Sequence, residues 1–531
     1  MTNLESLLRN GHKDAAWSKY CGFIDLSLAD FMQVQERLLA EQWQLLANCS
    51  LGRKLLGDCL PQSVNEFRKH VPLTTYEDYL PYLEEKREDV LPAQPYLWVC
   101  TSGKTGVYDR KWAPYPHAWV ETNAKNFLAA IIFSVCTKKG DFTLKEGFKF
   151  LYAMAPPPYL TGMVPYGLKD EFPFEYLPPI DQAEKMGFEE QNDEGFRLGM
   201  AKGIDLFFGL SSILARIGER FAQGGSSKLN LGSIGVPGLA RLASGYAKSW
   251  WHKRPLLPRD VWHLRGIICA GTDTVFYKER IEYYWGRKPL EIYGGTEVGI
   301  AATQTWDYEG MVLFPDANFW EFIPEEEHRK CNLDPAYQPG TLLLPELEPE
   351  RQYELVVTNL RGGTFVRYRV GDLIRVVSRR NAHLGIELPQ IVYDDRVEDF
   401  IDLASFTRIT ERTIWEALHL ADIRPVNWLA RKAAGNDGRP ALELLLELAG
   451  GKSVEEQENC IHHALRKIDA DYRDLEDFMG YQPLKLVPLP AGACQRLTRE
   501  IMGARLNPPP QLLDQLLPGQ PPAETLYQCG R

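Results

Sequence analysis

Residues 265–299 read RGIICAGTDTVFYKERIEYYWGRKPLEIYGGTEVG. The apolar run GIICA stops at a glycine, and FYKERIEYYWG follows as a helical stretch. A second apolar run, PLEIY, then breaks at Gly294-Gly295. Short apolar runs bounded by glycine read as strands. Strands that alternate with helices need crossover connections, which argues for parallel sheets covered by helices.

The alternation extends in both directions. HAWVETNAKNFLAAIIFSVC (117–136) reads as a helix and FKFLYAMAP (148–156) as a buried strand. YLWVC (96–100) is a short apolar run that leads straight into TSGKTG. Residues 14–60 look helical, with apolar positions three and four apart in LADFMQVQERLLAEQWQLLANC (28–49). Thr75 is placed to cap a following turn, with Glu77 and Asp78 at its start. Downstream, YELVVTNL, FVRYRVGDLIRVV and QIVYD are β-branched and aromatic runs broken by glycine, which suggests a more antiparallel, barrel-like portion. GGSSKLNLGSIGVPG (224–238) reads as a surface loop. After about residue 396 come ALELLLELAG, a strand; SVEEQENCIHHALRKI, a helix with a Ser453–Glu456 capping box; and YQPLKLVPLP, another strand. The expected organisation is an α/β N-terminal domain over 1–395 and a small α+β domain over 396–531. The Pro- and Gln-rich tail from about Asn507 should be loosely held.

The chain has 531 residues, 44% hydrophobic and 25% charged, as in soluble globular proteins. A net charge of −11 argues against a general nucleic-acid-binding surface. Ten cysteines without a C-x-x-C and ten histidines without an H-E-x-x-H make a zinc site or a disulfide framework improbable. Reduced thiols, no apolar leader in MTNLESLLRNGHKD and no membrane-length apolar stretch point to a soluble cytoplasmic protein without a membrane partner. A monomer or weak dimer is expected.

Gly103-Lys104-Thr105 has the ending of a Walker A loop, but Trp98 stands where that pattern needs its first glycine. What remains, Thr101-Ser102-Gly103-Lys104-Thr105-Gly106, is still good phosphate chemistry. Small residues let backbone N–H groups reach an anion, and hydroxyls add donors. Two more glycine-bearing motifs follow, Tyr293-Gly294-Gly295-Thr296-Glu297 after a predicted strand and Tyr368-Arg-Val-Gly-Asp372 between two.

Each motif alone is weak; in this order and spacing the set resembles the adenylate-forming superfamily of acyl-CoA synthetases, luciferases and adenylation domains. VPLTTYEDYLPYLEE, NFWEFIPEEE, VVTNLRGGTFVRYRVGD and DADYRDLEDFMGYQPLKLVPLPAG narrow it. They resemble the Gretchen-Hagen-three family of acyl-acid amido synthetases over roughly residues 65–495. The resemblance implies ATP and Mg²⁺ as cofactors, and a carboxylic acid activated as acyl-AMP with release of pyrophosphate. The acyl group then passes to an amine, typically of an amino acid.

By that resemblance the TSGKTG loop wraps the outer phosphates and Lys111 adds positive charge. Tyr293 lies against adenine, with Cys269-Ala270-Gly271 beside it, Thr296 contacts the α-phosphate and Glu297 holds Mg²⁺. Asp372 takes the ribose hydroxyls. In DDRVEDFIDL (394–403), Arg396 contacts ribose and Glu398 is the pivot about which the small domain swings. Phe207, Phe208 and Leu210 in GIDLFFGLSSIL (203–214), with Trp119 and Met154, are candidates for the acyl pocket; as a stripe at helical spacing they also fit plain core.

The sequence departs from the family at three places. Lys104 stands where Thr or Ser is usual. The second motif reads Tyr-Gly-Gly-Thr-Glu rather than the plant Ser-Ser-Glu form. GACQRLTRE (492–500) offers Arg496 and Arg499 but not the lysine that commonly stabilises the leaving phosphate. Two alternatives to the ligase therefore stay open: an acyl-CoA synthetase with the same adenylation step, and an adenylate-binding protein that no longer turns over.

Overall fold

The computed structural model describes residues 3–57, 60–101, 110–155, 157–224, 235–271, 274–333, 337–396, 400–404, 407–425, 427–435, 437–447, 453–490, 493 and 506. The chain divides into two compact units. The first comprises residues 1–210, 217–270 and 281–397, the second residues 211–216, 271–280 and 398–531.

In the first unit, β1 (Pro95–Cys100) and β2 (Trp112–Pro116) form an antiparallel hairpin. The remaining strands make one 11-stranded sheet. Its parallel half contains β3 (Lys149–Ala153), β4 (Glu175–Leu177), β5 (Leu206–Leu210), β6 (Gly266–Ala270) and β7 (Leu290–Gly295), ordered β4-β3-β5-β6-β7. Helix Thr274–Trp285 connects β6 to β7, so residues 265–299 do fold as strand, helix, strand.

The antiparallel portion, expected as barrel-like, is the other half of this sheet. It contains β8 (Gly299–Gln304), β9 (Met311–Leu313), β10 (Asn318–Pro324), β11 (Gln352–Asn359), β12 (Tyr368–Ser378) and β13 (Gln390–Arg396). Strand direction switches between β7 and β8. Along β12, burial alternates residue by residue, whereas β11 is buried on both faces.

Helix His117–Val135 is buried on nearly every side, with an unbroken buried run from Asn126 to Ser134. Only its first turns carry exposed polar residues, His117 and Glu121; from Asn126 on its composition offers no polar face to turn to water. Helix Leu28–Ala47 is amphipathic and capped by Ser27, whose Oγ accepts from Asp30 N at 3.1 Å. One correction concerns residues 224–238: Gly235–Trp251 is a helix, so the loop cannot extend to Gly238. Gly238, Leu242, Gly245 and Ser249 give it a buried helical stripe that the Gly/Ser composition upstream obscured.

The second unit carries the hairpin β14 (Phe400–Leu403) and β15 (Thr407–Thr410). It also carries a sheet of β16 (Asn427–Ala434), β17 (Pro440–Glu447) and β18 (Leu484–Leu489). The Ser453 capping box is present: Glu456 N donates to Ser453 Oγ at 3.2 Å and Ser453 N to Glu456 Oε2 at 3.1 Å. The tail from Asn507 lies outside the described residues.

Just before β12, Arg367 sits at φ 45°, an uncommon conformation for a side chain of its size. Its guanidinium is 4% exposed and forks onto Glu321 of β10, with Nε to Oε2 at 3.0 Å and Nη2 to Oε1 at 2.8 Å. Nη1 donates to the carbonyls of Arg68 and Val71. Thr74 binds the same backbone, donating to Arg367 O and accepting from Arg369 N, both at 2.9 Å. Glu321→Ala leaves a buried guanidinium without its counter-charge and should cost about 3–5 kcal/mol, read as a lowered urea midpoint. Glu321→Gln, which keeps acceptor geometry, should cost less.

Arg369 reaches Glu354 of β11 with two N–H groups, at 2.8 and 2.7 Å, and His328 Nδ1 lies 2.9 Å from the same carboxylate. Burial alone would raise the Glu354 pKa. The hydrogen bonds from His328 and Arg369 outweigh it and hold the carboxyl below its ordinary value. The folded-state pKa is thus lower than the unfolded one, so this stabilisation is full above the ordinary carboxylate range and is lost as pH falls through the depressed value. Urea midpoints measured between about pH 6 and pH 3 should therefore fall, and Glu354→Gln should flatten part of that slope.

Candidate active site

The β7 turn, Asp372 of β12 and the end of β1 lie together beyond the carboxyl end of β7, where the sheet changes from parallel to antiparallel. Open α/β sheets bind ligands at such a switch point, because the loops there diverge and leave a crevice. Ala270 ends β6, with Gly271 following at φ 113°. Cys269 is fully buried, and burial pushes its thiol pKa well up.

The turn after β7 requires glycine for steric reasons. A Cβ on Gly294 would stand 2.6 Å from Gly299 O. At Gly299, φ is +66° and a Cβ would meet the Asn123 amide. That amide is fixed in place: Oδ1 accepts from Ile300 N at 2.5 Å and Nδ2 donates to Trp119 O at 2.8 Å. Asn123 thus locks helix His117–Val135 against the turn.

Thr296 and Glu297 are both buried. Thr296 Oγ1 donates to Cys100 O at 3.4 Å, and its carbonyl accepts from Tyr115 Oη at 2.7 Å. Burial, then the charge of Glu297, raises the Tyr115 pKa well above normal, so Tyr115 remains a donor at neutral pH. Glu297 O accepts from Asn359 Nδ2 at 2.9 Å. Asn359 Nδ2 also reaches Asn318 Oδ1 at 2.7 Å, and Asn318 Nδ2 donates to Val298 O at 2.7 Å. The Glu297 carboxylate accepts from Tyr368 Oη at 3.3 Å.

The first motif sits on the β1–β2 hairpin. At its base, Thr101 N donates to Lys111 O at 3.0 Å and Lys111 N to Thr101 Oγ1 at 3.1 Å. The Lys111 ammonium lies 5.7 Å from the centre of the Tyr76 ring. Ser102, Gly103, Lys104, Thr105 and Gly106 lie outside the described residues, as do Glu398 and Arg496. Because Thr296 bonds Cys100, the base of this hairpin and the β7 turn are adjacent.

Tyr293 and Asp372 touch: Tyr293 Oη donates to Asp372 Oδ2 at 2.6 Å, with both residues buried. The strand register sets Arg396 of β13 opposite Asp372 of β12. Of the residues singled out in the sequence, Thr101 bonds Lys111, Thr296 bonds the end of β1 and Tyr293 bonds Asp372. Sequence reasoning missed Tyr115, Asn123, Asn318 and Asn359, and it gave Tyr368 no role. Asn318 and Asn359 do fall within NFWEFIPEEE and VVTNLRGGTFVRYRVGD, and buried asparagines beside strand ends were the available signal.

The acyl-pocket candidates separate. Leu206–Leu210 is a strand rather than a helical stripe, so Phe207 and Phe208 point to opposite faces. Phe208 packs on Phe127 and Tyr152, with ring centres at 4.8 and 5.3 Å. The Trp119 indole donates to Ala317 O at 3.0 Å inside the core. Met154 lines a narrow cleft of about 20 Å³ with Tyr152, Tyr176 and Gln191. A second narrow apolar cleft, also of about 20 Å³, has Tyr115, Leu97 and Ile300 in its wall, and Tyr115 connects it to Thr296.

The GH3 family N-terminal domain matches residues 21–160, and the GH3 family central domain matches residues 311–391. The chain carries GH3 family domains. The hairpin base falls within the first GH3 match and Asp372 within the second, while the β7 turn lies between them. An indole-3-acetic acid-amido synthetase of Oryza sativa subsp. indica is 24% identical over 424 residues, 68% of this chain and 66% of that protein. A GH3 domain-containing protein of Homo sapiens is 24% identical over 217 residues, 39% of this chain and 38% of that protein. The chain thus spans slightly under two thirds of the rice relative and well under half of the human one. In fold it is similar to 2-hydroxyisobutyryl-CoA ligase in complex with 2-HIB-AMP and CoA, with TM-score 0.54, 14% identity and coverage of 90% of this chain and 94% of that one.

Asn359→Ala removes the donor to Glu297 O and Asn318, and the acceptor for Phe365 N at 3.1 Å. Leaving such groups unpaired should cost roughly 1–3 kcal/mol, read by urea denaturation, although Asn359 carries no charge for the chemistry.

Proposed function

We propose that the chain is an ATP-dependent acid–amino acid ligase. The observation that carries this reading is the convergence of Thr101 and Lys111, Thr296 and Glu297, and Tyr293 and Asp372 at the sheet's switch point. The GH3 domains and the relatives named above support it.

In this reading residues 1–395 hold ATP and the acid, and residues 396–531 form the smaller domain that serves the second half-reaction. The acid's carboxylate oxygen attacks the α-phosphorus, the bond to the bridging oxygen breaks and pyrophosphate leaves. Little covalent work falls to the protein in such a transfer, so positioning and charge neutralisation decide the rate. Thr101 and Lys111 face the phosphates; Lys111 places a point charge at the hairpin base. Thr296 donates to the α-phosphate, and Tyr115 fixes the backbone that aims it. Asp372, oriented by Tyr293, receives the ribose hydroxyls, with Arg396 in register beside it. The amine then attacks the acyl carbonyl, AMP departs and the surplus amine proton passes to solvent.

Among the described residues no group of three or more His, Cys, Asp or Glu side chains could hold a metal by itself. Glu297 supplies a single buried carboxylate, which fits Mg²⁺ bound jointly with phosphate oxygens. The ion would neutralise phosphate charge there. No helix among the described residues is long and apolar enough to cross a membrane. The buried thiols Cys21, Cys49, Cys100, Cys136 and Cys269 fit a reducing, cytoplasmic setting.

The test is acid-dependent ATP–pyrophosphate exchange across a panel of aromatic and aliphatic acids, in wild type, Asp372→Ala and Glu297→Ala. Exchange that both substitutions reduce by about 10²-fold or more supports adenylation. Release of AMP by amino acids then identifies the ligase, and release by CoA identifies the acyl-CoA synthetase, whose fold the chain shares. Nucleotide binding without exchange for any acid would point to the adenylate binder instead.

A further inference from the structure

A polar pocket of about 570 Å³ opens at the opposite edge of the sheet, where the parallel strands begin. Lys149 starts β3, Asp205 immediately precedes β5 and Arg265 precedes β6. Backbone bonds tie them together: Asp205 N donates to Lys149 O at 2.9 Å and Arg265 N to Asp205 O at 2.8 Å. Asp205 Oδ2 also accepts from Lys149 N at 2.9 Å. Helix Gly235–Trp251 adds Arg241, Ser244 and Lys248, which share one side of it at three- and four-residue spacing.

The charges do not balance. Lys149, Lys202, Arg241, Lys248 and Arg265 line the pocket against only Asp205 and Asp260, with His263 at the rim. Both Asp260 carboxylate oxygens are taken by Arg254, at 2.7 and 2.8 Å. Lys202 pairs with Glu175 at 2.7 Å. Arg241 donates to the carbonyls of Met200, Ala201 and Lys202, which offsets the negative end of helix Phe188–Lys202. That leaves Lys149, Lys248 and Arg265. Lys248 Nζ reaches only a carbonyl, Asp260 O, at 3.4 Å, and the Arg265 guanidinium lies over the Phe148 ring at 5.6 Å. Among the described residues, no carboxylate forms an ion pair with these three. Gly203, at φ +98°, leaves open the space beside the Arg241 guanidinium, 3.5 Å from where its Cβ would be.

An excess of cations in a concave pocket of a chain with net charge −11 favours anion capture there over general surface attraction. We infer that this pocket is a binding site for a small polyphosphate anion, distinct from the site at the β7 turn. Lys149, Lys248 and Arg265 bind its phosphate oxygens and Arg241 forms the fixed side of the cradle. The pocket is larger than one phosphate needs and suits a ligand of nucleotide size. The inference does not depend on the reaction proposed for the other site.

The experiment is isothermal titration of the full chain with inorganic tripolyphosphate, and separately with ADP. It uses Lys111→Met to weaken binding at the β7 turn. In that background one saturable site should persist. Adding Lys149→Met, Lys248→Met and Arg265→Met together should weaken it by about tenfold or more. An unchanged thermal midpoint without ligand confirms that the variant folds; if it does not fold, Arg265→Glu alone, at an exposed position, gives the same readout. Equal binding of ADP and tripolyphosphate at the pocket assigns it to nucleotides, and binding of tripolyphosphate alone to inorganic chains; both support the site. No saturable binding in the Lys111→Met chain, or binding unaffected by the added substitutions, overturns it.

Discussion

The buried fork between Arg367 and Glu321 sets the position of everything downstream in β12. It joins β10 to the residue just before β12, and the same guanidinium gathers the carbonyls of Arg68 and Val71. With the bonds to Arg68, Val71 and Thr74, it holds Arg367 in its left-handed conformation. With it, Tyr368 turns its hydroxyl to Glu297 and, four residues on, Asp372 meets Tyr293. A buried ion pair is a weak source of net stability but a strong source of register, because few alternative packings satisfy both partners.

Around that register the site separates into groups that face a ligand and groups that hold them. In the proposed ligase, Thr296, Glu297 and Asp372 carry the polar chemistry. Asn123, Asn318 and Asn359 bind backbone beside them, and Tyr115 fixes the carbonyl of Thr296. An asparagine suits this work because its amide both donates and accepts, so it satisfies two buried backbone groups from unrelated strands without introducing a charge.

The amino-acid sequence made much of this legible. The strand–helix–strand reading of 265–299 holds because glycine punctuation and apolar runs are local signals. Tyr293 meets Asp372, and Thr296 meets Cys100, because the β7 turn lies beside both β12 and the end of β1. The errors also have local causes. Leu206–Leu210 is too short for periodicity to distinguish a strand from a helix turn, and its two phenylalanines went to opposite faces. Helix Gly235–Trp251 begins in a glycine-rich segment whose composition favours a loop. The asparagine supports were harder to read: Asn123 binds Ile300 N and Asn359 binds Glu297 O, backbone groups far along the chain, so only the asparagines' own place beside strand ends marks them.

The distances along the chain have a consequence for synthesis. Thr296 bonds a carbonyl 196 residues earlier, and Tyr293 bonds a carboxylate 79 residues later. At roughly 5–20 residues per second, the strand that ends at Cys100 waits on the order of 10–40 s before its partner turn is made. Through that interval Cys100 has no Thr296 to bond. A truncated message that ends before residue 372 therefore lacks Asp372, β13 and most of β12, which parts the β10–β11 pair from the rest of the sheet.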